Sequence, residues 1–375
     1  MKKRVWVEID LKALVRNYRR IQRHVAPAEV LSVLKANAYG LGVGPYAMAL
    51  AGAGCRRFGV AEPCEAIELK NLFREKSIDA SVQILSSILP DEIEEMLSLG
   101  VVLPVTDYAS ACLIDKAAKK LSVKARVHFK IDSGMGRLGI LLNEADKVIK
   151  KTMRLKNLCV EGIFSHCPMA YEPHHPFTAQ QIQRFADLVN ELSCEGIKFK
   201  AVHIAASDAL NNFPQAARSP FNLVRTGINL HGSFDPNGRK ALEVEPVLTL
   251  KTRIAQIRDL PEGSTLGYGR TWCLNRRSRI ATVSAGYADG LPLALGNKGS
   301  VFVSGQRCPI VGRVSMDYTT IDVSHVEGVK VGDEVVCLGQ TADDSITPDD
   351  WAEIKGTHAY DIICSLGGRV ERRVK

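Results

Sequence analysis

Over the first two thirds of the chain, short apolar runs alternate with stretches whose apolar residues recur at threes and fours. The runs are 30–34, 58–61, 82–85, 101–105, 125–131, 160–164, 201–204 and 224–230. Their length predicts strands. The stretches 65–73, 91–99, 108–121, 144–155 and 179–192 predict helices. Thr178 reads as the cap of the last of these, with Gln181 three residues on. Pro63 and Pro90 stand where first turns tolerate proline. Eight strands alternating with helices predict an α/β fold, a (β/α)8 TIM-like barrel. The competing doubly wound sheet calls for a GxGxxG turn after its first strand. Only Gly40, Gly42 and Gly44 approach that spacing.

The texture changes near Pro236. Beyond it, 247–250, 254–257, 280–284, 300–303, 319–323 and 334–338 are short and β-rich, with turns such as Ser304-Gly305 and Gly332-Asp333 between them. We therefore expect a barrel over 8–236 and a mostly β C-terminal domain over 237–375. The N-terminal segment 1–7 would join the second domain, because residues 4–9 alternate like a strand.

Composition adds little to this picture but excludes much. The chain has 375 residues, 46% of them apolar and 24% charged, which rules out a disordered or collagen-like protein. The formal charge of +8 is mild. It calls for neither a nucleic acid nor a membrane as partner. No run of about 18 apolar residues is present. The basic start meets Glu8 and Asp10 before any apolar core, so no signal peptide is read. Ten scattered cysteines without a CxxC suggest buried or inert thiols in a reducing cytoplasm. The histidines form no HExxH, so no metal site is expected.

In a barrel the chemistry sits at the carboxyl ends of the strands. Those ends carry Lys35, then Asp132 running into Arg137, then Ser165-His166, Ser207, and Arg225-Thr226-Gly227-Ile228. A lysine emerging into a barrel mouth is costly unless used or paired. Desolvation favours its neutral amine, the form that makes Schiff bases. A lysine that snorkels out or meets an acid explains Lys35 equally well by itself. Ser207 and Gly227-Ile228 add weight, because barrels bind phosphate at the loops after strands 7 and 8. A Schiff-base lysine with a phosphate cradle suggests pyridoxal 5'-phosphate (PLP).

These residues resemble the alanine racemase family, the barrel-type (fold type III) PLP enzymes. The resemblance rests on Lys35-Ala36-Asn37-Ala38-Tyr39-Gly40, Asp132-Ser133-Gly134-Met135-Gly136-Arg137, Arg225-Thr226-Gly227-Ile228, Gly267-Tyr268-Gly269, Gly286-Tyr287-Ala288-Asp289-Gly290 and Gly312-Arg313-Val314-Ser315-Met316-Asp317. They follow the family's order across nearly the whole chain.

The resemblance implies a homodimer that interconverts L- and D-alanine and supplies D-alanine for peptidoglycan. Lys35 would hold PLP and serve one face of the substrate Cα. Tyr268, from a second subunit, would serve the other. His166 and Arg225 resemble a hydrogen-bonded chain to that tyrosine and to the pyridine nitrogen. Arg137 would meet the PLP phenolate and approach the substrate carboxylate. Tyr39, Ser207, Gly227 and Ile228 match phosphate contacts. Met316, with Asp317 beside it, would bind the substrate carboxylate, and Tyr287 would line the entrance. Lys130 matches a lysine carbamylated in many members.

Three departures from the family stand out: Ala206 for a common asparagine, Gly368 for a common tyrosine, and the bulkier segment Cys167-Pro168-Met169 after His166. They bear on cofactor affinity and on the entrance. Serine or a broader amino acid range fits the same core. A PLP amino acid decarboxylase shares the architecture but places an acid where Arg225 stands. A non-catalytic PLP carrier has no second domain. His203 and His231 read as barrel filling or surface, Asp289 as a turn residue, and His128 faces either way.

Overall fold

The computed structural model describes residues 3–234 and 240–375. The expected boundary at 236/237, and residues 1–2 of the N-terminal strand, lie outside the described residues.

The chain opens with β1 (Trp6–Ile9) and α1 (Leu11–Val25). The strands that follow are β2 (Glu29–Val33), β3 (Arg57–Val60), β4 (Ser81–Ile84), β5 (Leu103–Val105), β6 (Ala125–Asp132), the two-residue β7 (Ile140–Leu141), β8 (Leu158–Phe164), β9 (Ala201–His203) and β10 (Leu223–Thr226). One parallel set runs β10-β2-β3-β4 and another β5-β6-β8-β9. A parallel bridge between Gln83 and Val102 joins β4 to β5. On the other side the Asn222 amide donates to the Val202 carbonyl at 3.1 Å and the Arg225 amide to Ala205 at 3.0 Å. The two sets thus close into a ring of eight strands. It is the barrel expected from the alternation, and β7 lies beside the exit of β6.

Each expected helix is present, as Pro63–Glu75, Ile93–Ser98, Tyr108–Lys120, Ala145–Thr152 and Pro176–Cys194. The cap of the last differs from the reading. His175 is the N-cap, its side chain accepting from the Phe177 amide, and Pro176 fills the first turn. Thr178 is buried inside the helix. Two longer helices of the barrel, besides the short Ser207–Asn212, were not anticipated. In α1, Leu14, Asn17, Tyr18, Ile21 and Val25 form one buried stripe, and Asp10 caps it by accepting from Ala13 at 2.8 Å. Val43–Gly52 is apolar on most sides, so its period is faint.

The second unit is built on β11 (Leu248–Leu260). The expected strands 247–250 and 254–257 are parts of this single strand. It pairs with β1, with Ser278–Val283 and with Glu334–Gln340. β1 also pairs in parallel with Glu371–Val374, so both ends of the chain meet in one sheet. Pro348–Lys355 and Ala359–Cys364 are helical within this otherwise β unit. A contiguous apolar core runs from the barrel into this sheet. All cysteines are free. Cys55, Cys167, Cys308 and Cys337 are buried as expected, but Cys64, Cys194, Cys273 and Cys364 are exposed. Among the described residues no helix is long and apolar enough to cross a membrane.

Candidate active site

Lys35 does not end a strand. β2 stops at Val33, and Lys35–Tyr39 form a single turn whose handedness reverses. Ala36, Asn37, Ala38 and Tyr39 have φ of 53°, 55°, 51° and 59°, and Gly40 follows at 84°. Left-handed backbone costs an L-residue roughly 1–2 kcal/mol, so four in succession need support. The Glu65 carboxylate accepts from the Ala36 amide and from Ala61 at 2.8 Å. Asn37 Oδ1 accepts from Val43 at 2.7 Å. Arg372, near the chain's end, donates to the Gly40 carbonyl at 2.9 Å and to Gly367 at 2.8 Å. The turn is therefore clamped from both units. Such strain gathers where a side chain must be aimed.

Lys35 is open to solvent at the mouth but walled by protein on its other sides. That desolvation, with the positive charge of Arg137, lowers its pKa. Arg137 is carried on a loop organised by one carboxylate. Asp132 Oδ1 accepts from Gly134, Met135 and Gly136 at 2.9, 2.8 and 3.1 Å, and Oδ2 accepts from Arg137 at 3.0 Å. These four N–H donors outweigh partial burial and hold the Asp132 pKa below the usual range.

Arg225, on β10, is buried. It donates to the carbonyls of Ser165 at 2.8 Å and Ile204 at 3.0 Å, and its Nη2 lies 3.3 Å from Nδ1 of His166. Burial lowers its pKa to about 10, so it remains a cation at neutral pH. Burial and the same guanidinium push His166 down to about 3. Lys130 is buried beside them. Desolvation and the charges of Arg225 and Arg137 lower it to about 8. Its amine donates to Leu85 at 2.5 Å and Ser86 at 3.2 Å.

A few residues away lies a cradle. Ser207 Oγ accepts from the Gly227 amide at 3.1 Å. A methyl group on Gly227 would run into the Tyr39 hydroxyl. Tyr39 is pinned by His231, edge-on at 4.7 Å, and by Tyr360 at 5.8 Å. Ile228 opens the short turn that follows Gly227. The result is a small buried cluster of hydroxyls and backbone amides, a chemistry suited to an oxyanion. Ala206 precedes Ser207 and offers no side-chain cap there. Met169 is half-buried on the segment after His166.

The remaining candidates gather elsewhere. Tyr268 lines a shallow hollow with Gly267, Arg313, Ser315, Tyr318 and Thr320, all from the C-terminal unit. Tyr268 is 74% exposed and Met316 52%. Within one chain, then, Tyr268 is not packed into the Lys35 pocket. The three glycine motifs of this unit meet on one face. The Tyr287 amide donates to Ser315 at 3.0 Å, and a methyl on Gly286 would strike the carbonyls of Ser315 and Met316. Asp317 is paired with Arg369 at 2.7 Å. Arg369 also grips the buried Asp289 at 2.7 and 2.8 Å, and Asp289 accepts from Gly286 at 3.0 Å. Asp289 thus braces the turn, as read. Around Gly368 there is open space. His203 and His231 fill the interior, and His128 points inward.

Sequence reasoning did not find Arg369, Arg372, Tyr360 or Glu65. Each acts by bracing a motif rather than belonging to one. Glu65 alone carried a signal, three residues after Glu62 at a helix start.

The chain matches two family models, the alanine racemase N-terminal domain over residues 9–235 and the alanine racemase C-terminal domain over 247–374. It is 37% identical over 372 residues to the alanine racemase of Halothermothrix orenii, covering 99% of this chain and 96% of that one. It is 38% identical over 369 residues to alanine racemase 2 of Caldanaerobacter subterraneus subsp. tengcongensis, covering 98% and 93%. Among solved structures it resembles the alanine racemase of Streptomyces lavendulae, with a TM-score of 0.92 and 31% identity over 100% of this chain and 98% of that one. It also resembles the Bartonella henselae enzyme with covalently bound pyridoxal phosphate, with a TM-score of 0.88 and 30% identity over 100% of both chains.

Proposed function

This chain belongs to the alanine racemase family, and from that premise we propose how its residues divide the work. The chain is a PLP-dependent alanine racemase. One observation carries the reading: an amine with a lowered pKa, Lys35, shares a barrel mouth with the cradle of Tyr39, Ser207, Gly227 and Ile228. A phosphorylated aldehyde needs both, and they fit it. When bound, PLP supplies an electron sink that acidifies the substrate Cα proton.

The chain's own groups do the rest. Lys35 attaches the cofactor and holds or returns a proton on one face of the substrate, and its lowered pKa enlarges the neutral fraction able to do so. Tyr268 carries the proton on the opposite face. A planar carbon reprotonated from either side loses its handedness, so two carriers are required. Because Tyr268 faces solvent in the single chain, we place it at the Lys35 pocket of a second copy, in a homodimer with shared sites. The barrel, ending at the boundary proposed at 236/237, then forms the cofactor unit; it begins after β1 rather than at residue 8, because Glu8 and Ile9 pair with β11 in the other sheet. Residues 237–375, with the N-terminal strand, supply Tyr268.

Arg225 only donates hydrogen bonds. Beside a bound PLP it would meet the pyridine nitrogen as a donor, which would leave that nitrogen unprotonated and temper the electron sink. For the same reason Nδ1 of His166 is bare and its proton sits on Nε2, free to donate to the oxygen of Tyr268. Arg137 would neutralise the ring oxygen of bound PLP and approach the substrate carboxylate. The Met316 amide is the second carboxylate donor, Asp317 steadies it through Arg369, and Tyr287 borders the entrance. Lys130, with its pKa near 8, is partly neutral at neutral pH, the state in which an amine takes up carbon dioxide as a carbamate beside Arg137. We further assign the enzyme to the cytoplasm and its D-alanine to peptidoglycan.

Chiral chromatography of purified enzyme incubated with single L-amino acids tests this. L-alanine should yield D-alanine, and Lys35→Ala should abolish the conversion. Conversion of serine alone would shift the substrate. Release of carbon dioxide without the D-enantiomer would point to a decarboxylase.

A further inference from the structure

The interior of the barrel beneath the site is not apolar. Barrel interiors are ordinarily filled by layers of branched aliphatic side chains. Here Gln83, His128 and His203 occupy the layer below Arg225, and all three are buried. Buried polar groups cost free energy unless their hydrogen bonds are met. These meet one another in a line. Arg225 Nη1 lies 2.9 Å from Nδ1 of His203. Nε2 of His203 lies 3.2 Å from Nδ1 of His128. Nε2 of Gln83 lies 3.2 Å from the same Nδ1.

The packing fits the line. Phe164 stacks on His203 with ring centroids 5.0 Å apart and planes 11° from parallel. Gly162, paired with His128 across β6 and β8, makes room for its ring. A Cβ on Gly162 would stand 2.5 Å from that imidazole.

The direction of the line follows from its first member. A guanidinium has no acceptor, so Nδ1 of His203 must be bare. A neutral ring then carries its proton on Nε2, which points at His128. Nδ1 of His128 must therefore be bare too, and the Gln83 amide donates to the same nitrogen. With both rings neutral this is the one assignment in which no two donors face each other, His203 and Gln83 sharing the single lone pair of His128 Nδ1.

We propose that Gln83, His128 and His203 are positioning residues, a one-way hydrogen-bond relay that fixes the guanidinium of Arg225 in the orientation that would meet the pyridine nitrogen and, through it, the ring of His166. The proposal rests on the reading of Arg225 as the partner of the pyridine nitrogen. The relay offers Arg225 only neutral acceptors on this side. Arg225 is thus aimed without being neutralised, which a carboxylate in the same place would not achieve.

Two measurements test it. The first is long-range proton–nitrogen correlation on holoenzyme labelled with nitrogen-15 histidine, with the two resonance sets assigned from His128→Asn and His203→Asn. At neutral pH both rings should be neutral, bare at Nδ1 and protonated at Nε2. A charged ring, or the opposite tautomer at either position, overturns the relay. The second compares His203→Leu, which removes the acceptor, with His203→Asn, whose Oδ1 stands near the lost Nδ1. Loss of a hydrogen bond to a charged group predicts a kcat about 10–100-fold lower in His203→Leu. KM for alanine should change by less than about threefold, because Arg225 does not bind substrate. The visible absorption maximum of bound PLP should shift in the Leu variant, and the Asn variant should recover most of both effects. A Leu variant with wild-type kcat and spectrum overturns the positioning role. If the Leu variant fails to fold, the tautomers of the wild-type enzyme decide alone. Should wild-type enzyme not racemise alanine, the function assigned above falls, while the tautomers still report on the relay.

Discussion

Gly227 shows how much a single missing side chain can decide. The Tyr39 hydroxyl occupies the space its Cβ would need, and its amide is already turned to Ser207. In Gly227→Ala either Tyr39 moves or the backbone does. Forcing a methyl into a packed site costs roughly 1–3 kcal/mol. PLP should therefore bind about 10–100-fold more weakly to Gly227→Ala, while circular dichroism reports an intact fold. Unchanged affinity in a fluorescence titration with PLP would separate the cradle from the phosphate. Residues of this kind were legible in the sequence. Lys35 drew attention because a cation emerging from an apolar run is expensive, and Arg225 through the Arg225-Thr226-Gly227-Ile228 motif of the family it resembles. His128 did not, since a strand buried on both faces gives no sign of which way a side chain points. Arg369 and Arg372 were hidden for another reason. They act through backbone carbonyls and distant carboxylates, and no spacing along the chain encodes that.

At the scale of elements, the left-handed turn after β2 is the feature the sequence concealed. Nothing in Ala36-Asn37-Ala38-Tyr39 except Asn37 favours that backbone, and it survives only because Glu65, Asn37 and Arg372 brace it. Ala36 is exposed, so a substitution there reads the backbone alone. Glycine pays no left-handed penalty but has a freer unfolded chain. Ala36→Gly should therefore be neutral or stabilising by up to about 1 kcal/mol, the reverse of its effect in an ordinary helix. A loss of more than about 1 kcal/mol in urea unfolding would contradict the strain. Barrel strands were readable because runs of apolar residues of strand length recur at intervals that leave room for a helix. The helix α1 went unread, although its apolar stripe, the opposing arginines and the Asp10 cap all lie in the sequence. β11 was split in the reading because Lys251 and Arg253 interrupt its apolar residues. Those charges sit on the other face of a continuing strand, Lys251 paired with Glu334 at 2.6 Å.

At the scale of the whole molecule, two properties follow from the burial of histidines and from the separation of the two halves of the site. Burial depresses His128, His166 and His231 to about 3 and His203 well below its ordinary value. An unfolded chain takes up these protons below about pH 6.5, and the folded one refuses them. Stability is thus complete above that pH and is lost as pH falls toward about 3. Each buried histidine contributes at most about 2 kcal/mol to the loss between pH 7 and pH 5. Scanning calorimetry should show Tm dropping steadily over that interval, and a flat Tm would contradict the burial. Lys35 and Tyr268 lie in different units, and the sequence order of the motifs carried no hint of which copy each serves. Mixing inactive Lys35→Ala and Tyr268→Phe chains should restore activity, because a heterodimer holds one site with both residues intact. No recovery despite proven exchange of chains would place both residues in one subunit. The most direct test of the central claim, two proton carriers on opposite faces, is α-proton exchange by Tyr268→Phe in deuterated water. This variant should still bind PLP and alanine. It should exchange the α-proton of one enantiomer, the one facing Lys35 and by the family resemblance the D form, far faster than it racemises either, with racemisation lowered about 10²–10⁴-fold. Near-wild-type racemisation by Tyr268→Phe, or equal exchange of both enantiomers, would contradict it.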